Sequence, residues 1–294
     1  MTKQTRAYLF AISTILAWST VATAFKLTLR FLDTFQLLFY ACLTSALALI
    51  TVTTFRGQVT DLIDAFRKHW KLAVIAGLLN PCLYYLFLFE AYDRLPAQVA
   101  QPINYTWAIA LAFMSVVFLK QKILVADIVA AFICYTGVVV IATQGDFTGL
   151  LSSDLIGVSL ALFSTILWAS YWILNVKDPR EPLIGMCLNF LVALPVATGF
   201  CLAYSSFSIP LAGLAGALYV GLFEMSLAFL CWSIALRLSS NTTRISNLIF
   251  LSPFLSLVFI NQILGEEIFS TTYIGLVFII CGLLYQQGRH SLGN

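Results

Sequence analysis

Apolar residues in this chain come in runs of about twenty, separated by short polar segments that carry most of the charge. A run of that length spans the ~30 Å hydrocarbon core of a bilayer, whereas helices of soluble cores are usually shorter and keep a polar face. Charges, Pro/Gly clusters and run lengths together predict ten helices, over residues 7–29, 34–54, 70–91, 96–118, 123–143, 154–176, 182–205, 211–236, 242–263 and 270–287. The connections are short, so successive helices run antiparallel, and no room is left for a soluble domain. The first run, Ala7 to Phe25, follows Lys3 and Arg6 in the manner of a signal peptide. It is long, lacks a convincing small-x-small site at its end and precedes nine runs like it, so it is read as a retained span.

Composition agrees with that pattern. Of 294 residues 61% are hydrophobic and 10% charged, with a mean hydropathy of +0.94. A soluble domain is nearer half apolar and a quarter charged, so the fold class predicted is an all-α polytopic membrane protein. The seven cysteines all fall within apolar runs, are odd in number and show no metal-ligand spacing, which makes them small buried hydrophobes. His69 and His290 lie outside the runs, so no metal or other cofactor is expected.

Charge sets an orientation. With the N-terminus in the cytoplasm, the inner segments carry Lys3, Arg6, Arg56, Arg67, Lys68, Lys71, Lys120, Lys122, Lys177, Arg180, Arg237, Arg244 and Arg289. The outer segments carry Lys26, Arg30 and Arg94. Basic residues concentrate on the cytoplasmic side, so both termini are placed there.

The two halves echo one another. Ser13-Thr14-Ile15-Leu16 recurs as Ser164-Thr165-Ile166-Leu167, with Ser19 meeting Ser170 and Lys26 meeting Lys177 at the same offset. After one change of register, Arg94-Leu95 answers Arg237-Leu238, Asn104 answers Asn247 and Gln144-Gly145 answers Gln287-Gly288. These matches predict two five-helix repeats, 1–145 and 150–288. Five is odd, so the second enters the membrane from the opposite side. Inverted repeats commonly build alternating access, with substrate bound near the midplane between the halves.

Polar groups inside spans mark where a substrate would sit. Glu224 lies at the centre of the eighth helix; it is either a proton-coupling or amino-group contact, or a protonated acid bonded between helices. The third helix carries Asn80-Pro81 near its middle, a break of the kind that borders cavities, with Tyr84 four residues on and Tyr85 beside it. The fourth helix presents Gln101, Asn104 and Tyr105, followed by Trp107. The sixth offers Trp168, Trp172 and Asn175 at helical spacing with Thr165. The ninth offers Asn247 and Phe250. Trp70 beside Lys71 fits an interfacial anchor, while Trp18, Trp107 and Trp168 fall near mid-span. Such a cavity suits a flat apolar body held by ring contacts, with amides for a polar end. Lys26 and Lys177 are either gate residues or helix-end lysines that reach for the interface.

The stretch Leu251-Ser252-Pro253-Phe254, with Leu264-Gly265-Glu266-Glu267 and Gly275, resembles the ninth helix, Gly-Glu turn and tenth helix of the EamA-type, ten-helix branch of the drug/metabolite transporter superfamily. Arg237-Leu238-Ser239 resembles its turn between helices eight and nine. Leu119-Lys120-Gln121-Lys122 departs from the family's first Gly-Glu turn. The resemblance, over nearly the whole chain, implies that helices one to four and six to nine enclose a cavity, with five and ten outside. The aromatic pattern is most similar to the YddG-type exporters, which implies a bacterial inner-membrane exporter of aromatic amino acids, with methyl viologen-like cations as a further class.

The expected function is therefore secondary export of an aromatic amino acid or related metabolite, with a small molecule and the lipid bilayer as partners and no nucleic acid. A homodimer is left open. The alternative within the class is a multidrug or organic cation exporter, which Glu224 suits. No Gly-x-x-x-x-Gly-Lys loop is present for ATP drive. An intramembrane enzyme is disfavoured, because no histidine lies in a span and Asp127 is the one aspartate inside a span. A channel would lack saturable, exchange-accelerated flux.

Overall fold

The computed structural model describes residues 2–120, 125–144, 154–239, 245 and 248–292. Among these the chain is helical and forms no strand. Nine helices are long and apolar enough to cross a bilayer: α1 Lys3–Leu29, α2 Thr34–Phe55, α3 Val59–Arg94, α4 Ala97–Leu119, α5 Val125–Thr143, α6 Leu155–Val176, α7 Pro182–Tyr204, α8 Leu211–Leu238 and, after a shorter α9 at Leu248–Leu264, α10 beginning at Ser270. α10 continues to Leu292. The protein is a multi-pass membrane protein with the expected complement of about ten helices.

Local sequence explains where helices begin. Asp33 caps α2 by accepting from the Phe35 and Gln36 N–H groups, and Gln36 bonds back to the Asp33 N–H at 3.1 Å, a reciprocal capping box. Asp154 caps α6 through the Gly157 N–H at 2.9 Å. Glu181 caps α7, with Pro182 in the first turn where its missing N–H costs nothing. α4 has no cap of its own, since Pro96 offers no side-chain acceptor. Glu266 fills that role from the far end of the chain, taking the Ala97 N–H at 3.2 Å and the Gln98 N–H at 3.4 Å. Gln98 in turn donates to the Glu267 carbonyl at 2.8 Å and accepts from the Phe269 N–H and the Thr272 hydroxyl.

Turn chemistry is similar at the ends of α4 and α9. Gly265 closes α9 in the left-handed region (φ 72°), and Lys120 closes α4 in the same conformation (φ 56°). The backbone thus keeps the turn even where glycine is replaced. Gln121 and Lys122 lie outside the described residues. Lys177 donates to the Phe118 carbonyl at 3.1 Å, near the end of α4, as a helix-end lysine does.

One sequence expectation needs correcting. α3 starts at Val59 rather than residue 70, because Val59–Lys68 forms a helix of its own register before a kink at His69 (φ −128°, ψ 29°). Arg180, counted with the loop charges, has a fully buried side chain that pairs with Asp178 at 2.6 Å and bonds Asn189.

By packing, the chain forms two compact units: residues 1–82 with 178–265, and residues 83–177 with 266–294. The first holds α1, α2, the opening of α3, α7, α8 and α9; the second holds the rest of α3, α4, α5, α6 and α10. The boundary falls inside α3, between Cys82 and Leu83. Within the first unit α1 packs on α8 and α9, and α7 on α2 and α3. Within the second, α5 packs on α10, and α6 on α3 and α4.

The α5–α10 pair shows what close packing requires in a membrane. With no hydrophobic drive between helices in lipid, association depends on small residues that let backbones approach. A Cβ on Gly137 would lie 2.5 Å from the Gly275 carbonyl oxygen, and one on Gly275 would lie 2.6 Å from that of Gly137. Asp127 and Gln286, both buried, bond across the same pair at 2.9 Å.

Two outcomes follow for purified protein in detergent, read by thermal unfolding. Gly137→Ala overpacks the pair and lowers stability by about 1–3 kcal/mol; an unchanged melting temperature contradicts the packing described. Glu266→Ala removes the distant cap and costs about 0.5–2 kcal/mol, with Glu266→Gln retaining part of it. Equal melting of Glu266→Ala and the parent chain would show that the cap contributes nothing.

Candidate functional site

Four spans depart from regular α-helix, and the candidate residues cluster around these departures. α3 is interrupted by a π-helical segment, Leu78–Leu83, in which Asn80 has extended backbone (φ −143°, ψ 120°) ahead of Pro81. α4 is helical over Ala97–Asn104, breaks at Tyr105 and Thr106, and resumes over Trp107–Leu119. α8 contains the π segment Val220–Ser226. α9 opens as a 3₁₀ turn, Leu248–Leu251, and ends in a π turn. Irregular turns of this kind are frequent at functional sites because they turn side chains and free backbone groups.

In the second unit, Tyr84 lies at the start of the resumed α3 and meets α4 and α6. Its hydroxyl donates to Asn104 Oδ1 at 3.3 Å, and Asn104 Nδ2 donates to Ser164 Oγ at 3.0 Å. Ser164 in turn donates to the Ala161 carbonyl at 2.7 Å. One amide thus ties three helices together at the point where α4 breaks. Those bonds use one of its two amide hydrogens.

Tyr84 joins this amide to a group of rings. Tyr84 stacks on Trp168 with centroids 4.6 Å apart and meets Tyr85 edge-on at 4.7 Å. Trp168 meets Trp172 edge-on at 6.0 Å, while Trp107 lies parallel to Trp172 at 6.4 Å and edge-on to Trp168 at 6.5 Å. Tyr171 closes the group at 5.7 Å from Trp168. Edge-to-face and offset arrangements are those the ring quadrupoles favour. Burial divides the members: Tyr85 is 1% exposed and Trp168 7%, whereas Trp107, Trp172, Asn104 and Tyr105 are half-buried. Two polar atoms here, Gln101 Oε1 and Trp172 Nε1, are buried without a hydrogen-bond partner among the described residues. A buried polar group left so is costly, and a ligand's complementary group would satisfy it.

The other expected residues fall differently. Asn80 is buried in the first unit, its Oδ1 without a partner among the described residues. Helical spacing predicts Asn80 and Tyr84 on one face; α3 is π-helical over Leu78–Leu83, with Asn80 in extended backbone. Glu224 is half-buried in the π segment of α8, and Phe250 half-buried in the 3₁₀ turn of α9. Asn175 is half-buried two residues before the end cap of α6. Asn247 lies outside the described residues. No group of three or more metal-ligating side chains is found among the described residues.

Two residues of this group were not marked as site candidates in the sequence. Ser164 had been noted only as part of a repeat, and Tyr171 stands three residues after Trp168 on the same helical face. In the first unit Trp18 meets Phe229 at 5.1 Å and Trp232 at 5.7 Å, with its Nε1 buried and without a hydrogen-bond partner among the described residues. Only the contact between α1 and α8 shows the Trp18–Trp232 pairing.

Broken spans and intramembrane polar groups of this kind are features that membrane transporters use to build substrate sites. The EamA-like transporter family matches residues 5–143 and 155–285, and the chain belongs to that family. It is 27% identical to an uncharacterized transporter of Clostridium kluyveri, over 98% of this chain and 95% of that one. It is 25% identical to an uncharacterized transporter of Archaeoglobus fulgidus, over 95% and 96% respectively. The uncharacterized transporter YvbV of Bacillus subtilis is 23% identical over 74% of this chain and 72% of its own. A solved crystal structure superposes with a TM-score of 0.68 at 19% identity, covering 95% of each chain, which shows the fold alone.

The amide joined to the aromatic group has a measurable weight. Asn104→Ala removes its bonds to Tyr84 and Ser164 and is expected to cost about 2 kcal/mol; Tyr84→Phe, which removes one, costs about half that. Thermal unfolding without substrate tests the order, and an Asn104→Ala protein as stable as the parent contradicts the network.

Proposed function

We propose that this chain is a secondary transporter that exports aromatic amino acids or related small metabolites by alternating access. The observation that carries the reading is the ring group of Tyr84, Trp107, Trp168 and Trp172, joined to Asn104 through the Tyr84 hydroxyl. A flat apolar side chain gains from such ring faces, and a zwitterion has both signs to place. Trp172 Nε1 is a donor suited to a carboxylate, and Gln101 Oε1 an acceptor suited to an ammonium. Tyr85, edge-on to Tyr84, belongs to the proposal with it. Asn80, Glu224, Asn247 and Phe250 belong to the proposal as further substrate contacts, on the sequence pattern alone.

The transport cycle rests on the inverted repeats 1–145 and 150–288, in which the register-shifted matches supply the symmetry that alternating access uses. The distribution of Lys and Arg supports cytoplasmic termini, and the family resemblance supports a bacterial inner membrane. A second reading, export of organic cations, is favoured by Glu224: a half-buried carboxyl within a span is matched to a positive substrate or a coupling proton.

The experiment is efflux of labelled phenylalanine or tryptophan from proteoliposomes, with and without a pH gradient, and with arginine and methyl viologen as competitors. Saturable, exchange-accelerated aromatic flux is expected, cut several-fold by Trp107→Ala or Trp168→Ala at unchanged membrane abundance. Full flux in both variants sinks the aromatic site. Methyl viologen flux without aromatic flux favours the second reading. Glu224→Gln is expected to abolish the gradient response while sparing counterflow, and a gradient response intact in that variant removes Glu224 from coupling.

A further inference from the structure

The opening of α3 does something a spanning helix does not need to do. Val59–Lys68 is set off from the rest by the kink at His69, and its apolar residues Val59, Leu62, Ile63 and Phe66 recur at helical spacing. Leu62 and Ala65 pack on the buried group of Ala73, Ile184 and Leu188. Val59, Ile63 and Phe66, with Trp70 beyond the kink, remain 43%, 47%, 42% and 50% exposed. One side of this short helix is held against α7; another is apolar and uncovered.

Between it and α7 runs an open groove of about 360 Å³. Leu62, Ile63 and Phe66 form one wall, Leu188, Leu191 and Val192 the other, and Arg67 contributes the charged group. That volume falls within the roughly 300–1,000 Å³ of small-ligand clefts. The flanking charge is basic: Arg56, Arg67, Lys68 and Lys71 against Asp61 and Asp64. Arg67 stands 3.9 Å from Asp64 with both side chains more than three-quarters exposed, a weak, solvent-screened pair that leaves the guanidinium open to a stronger anion. Trp70, with the Lys71 ammonium 5.7 Å from its ring centroid, is the aromatic–basic pairing typical of a membrane interface.

We infer that this groove holds an acyl chain of an anionic phospholipid, with the headgroup phosphate met by Arg67 and its basic neighbours. The apolar walls suit any lipid chain. The positive rim selects among headgroups, since basic clusters beside a span attract anionic lipids. The guanidinium's planar fork can bind two phosphate oxygens at once, whereas its 3.9 Å contact with Asp64 is beyond hydrogen-bond reach. The site is separate from the aromatic group of the second unit and does not depend on what the protein transports.

Native mass spectrometry of the full chain in neutral detergent tests the assignment, with phosphatidylglycerol, phosphatidylcholine or glycerol 3-phosphate added in turn. Phosphatidylglycerol is expected to be retained at least several-fold more than phosphatidylcholine, and glycerol 3-phosphate not at all. Arg67→Gln with Lys68→Gln brings the two lipids level. Leu191→Trp fills the groove and removes both; should it misfold by size exclusion, Ile63→Trp fills the groove from the exposed helix. Equal retention of the two lipids by the parent chain overturns the inference. So does phosphatidylglycerol retained by a folded groove-filled variant, or glycerol 3-phosphate held as firmly as the lipid. A dimer that the groove-filled variants dissociate assigns the surface to a second copy and overturns it as well.

Discussion

Inside a bilayer no water can take the place of a missing hydrogen bond, so each span must satisfy its own N–H and C=O groups or find partners within the protein. This constraint governs both the regular and irregular parts of the structure. Where α8 widens into its π segment, the Gly221 carbonyl receives the hydroxyls of Ser45 and Ser226 at 2.8 and 2.7 Å. Where α4 breaks, Thr106 donates to the Ile103 carbonyl at 2.8 Å. Where α4 begins without a cap, Glu266 reaches across from the connection between α9 and α10. At each of these three places a named side chain answers the open backbone group.

The same constraint concentrates polar residues where function needs them. A straight apolar helix has nothing to offer a solute; a broken one exposes backbone groups and recruits amides and hydroxyls. Asn104 sits one residue before the break in α4 and joins Tyr84 to Ser164, so it serves the fold and meets the aromatic group at once. The Gly-Glu turn that marks the family has a structural meaning here too. Gly265 supplies the left-handed residue that ends α9, and Glu266 supplies the carboxylate that starts α4.

The compact units do not coincide with the halves suggested by the repeat. Each unit draws helices from both halves, and α3 is divided between them at Cys82–Leu83. A duplicated sequence says which segments share an ancestor. Which segments pack together depends on complementary surfaces such as Gly137 against Gly275, and those lie far apart along the chain.

The approximate number of helices was legible from the sequence because hydrocarbon thickness imposes a run length that any single segment reveals by itself. The aromatic and amide residues of α4 and α6 were legible for a related reason, since polar and indole groups at mid-span are conspicuous against aliphatic neighbours. Membership of the EamA-like family followed from short motifs at the ends of helices. Tertiary structure alone decided that α3 is interrupted at Leu78–Leu83, with Asn80 in extended backbone, so regular helical spacing does not carry through that segment. It alone paired Asn104 with Ser164 sixty residues away, buried Tyr85 and Arg180, and turned a presumed loop at Val59–Lys68 into a helix with a groove beside it. Those outcomes depend on partners brought together from distant segments, and no local run of residues contains its partner's position.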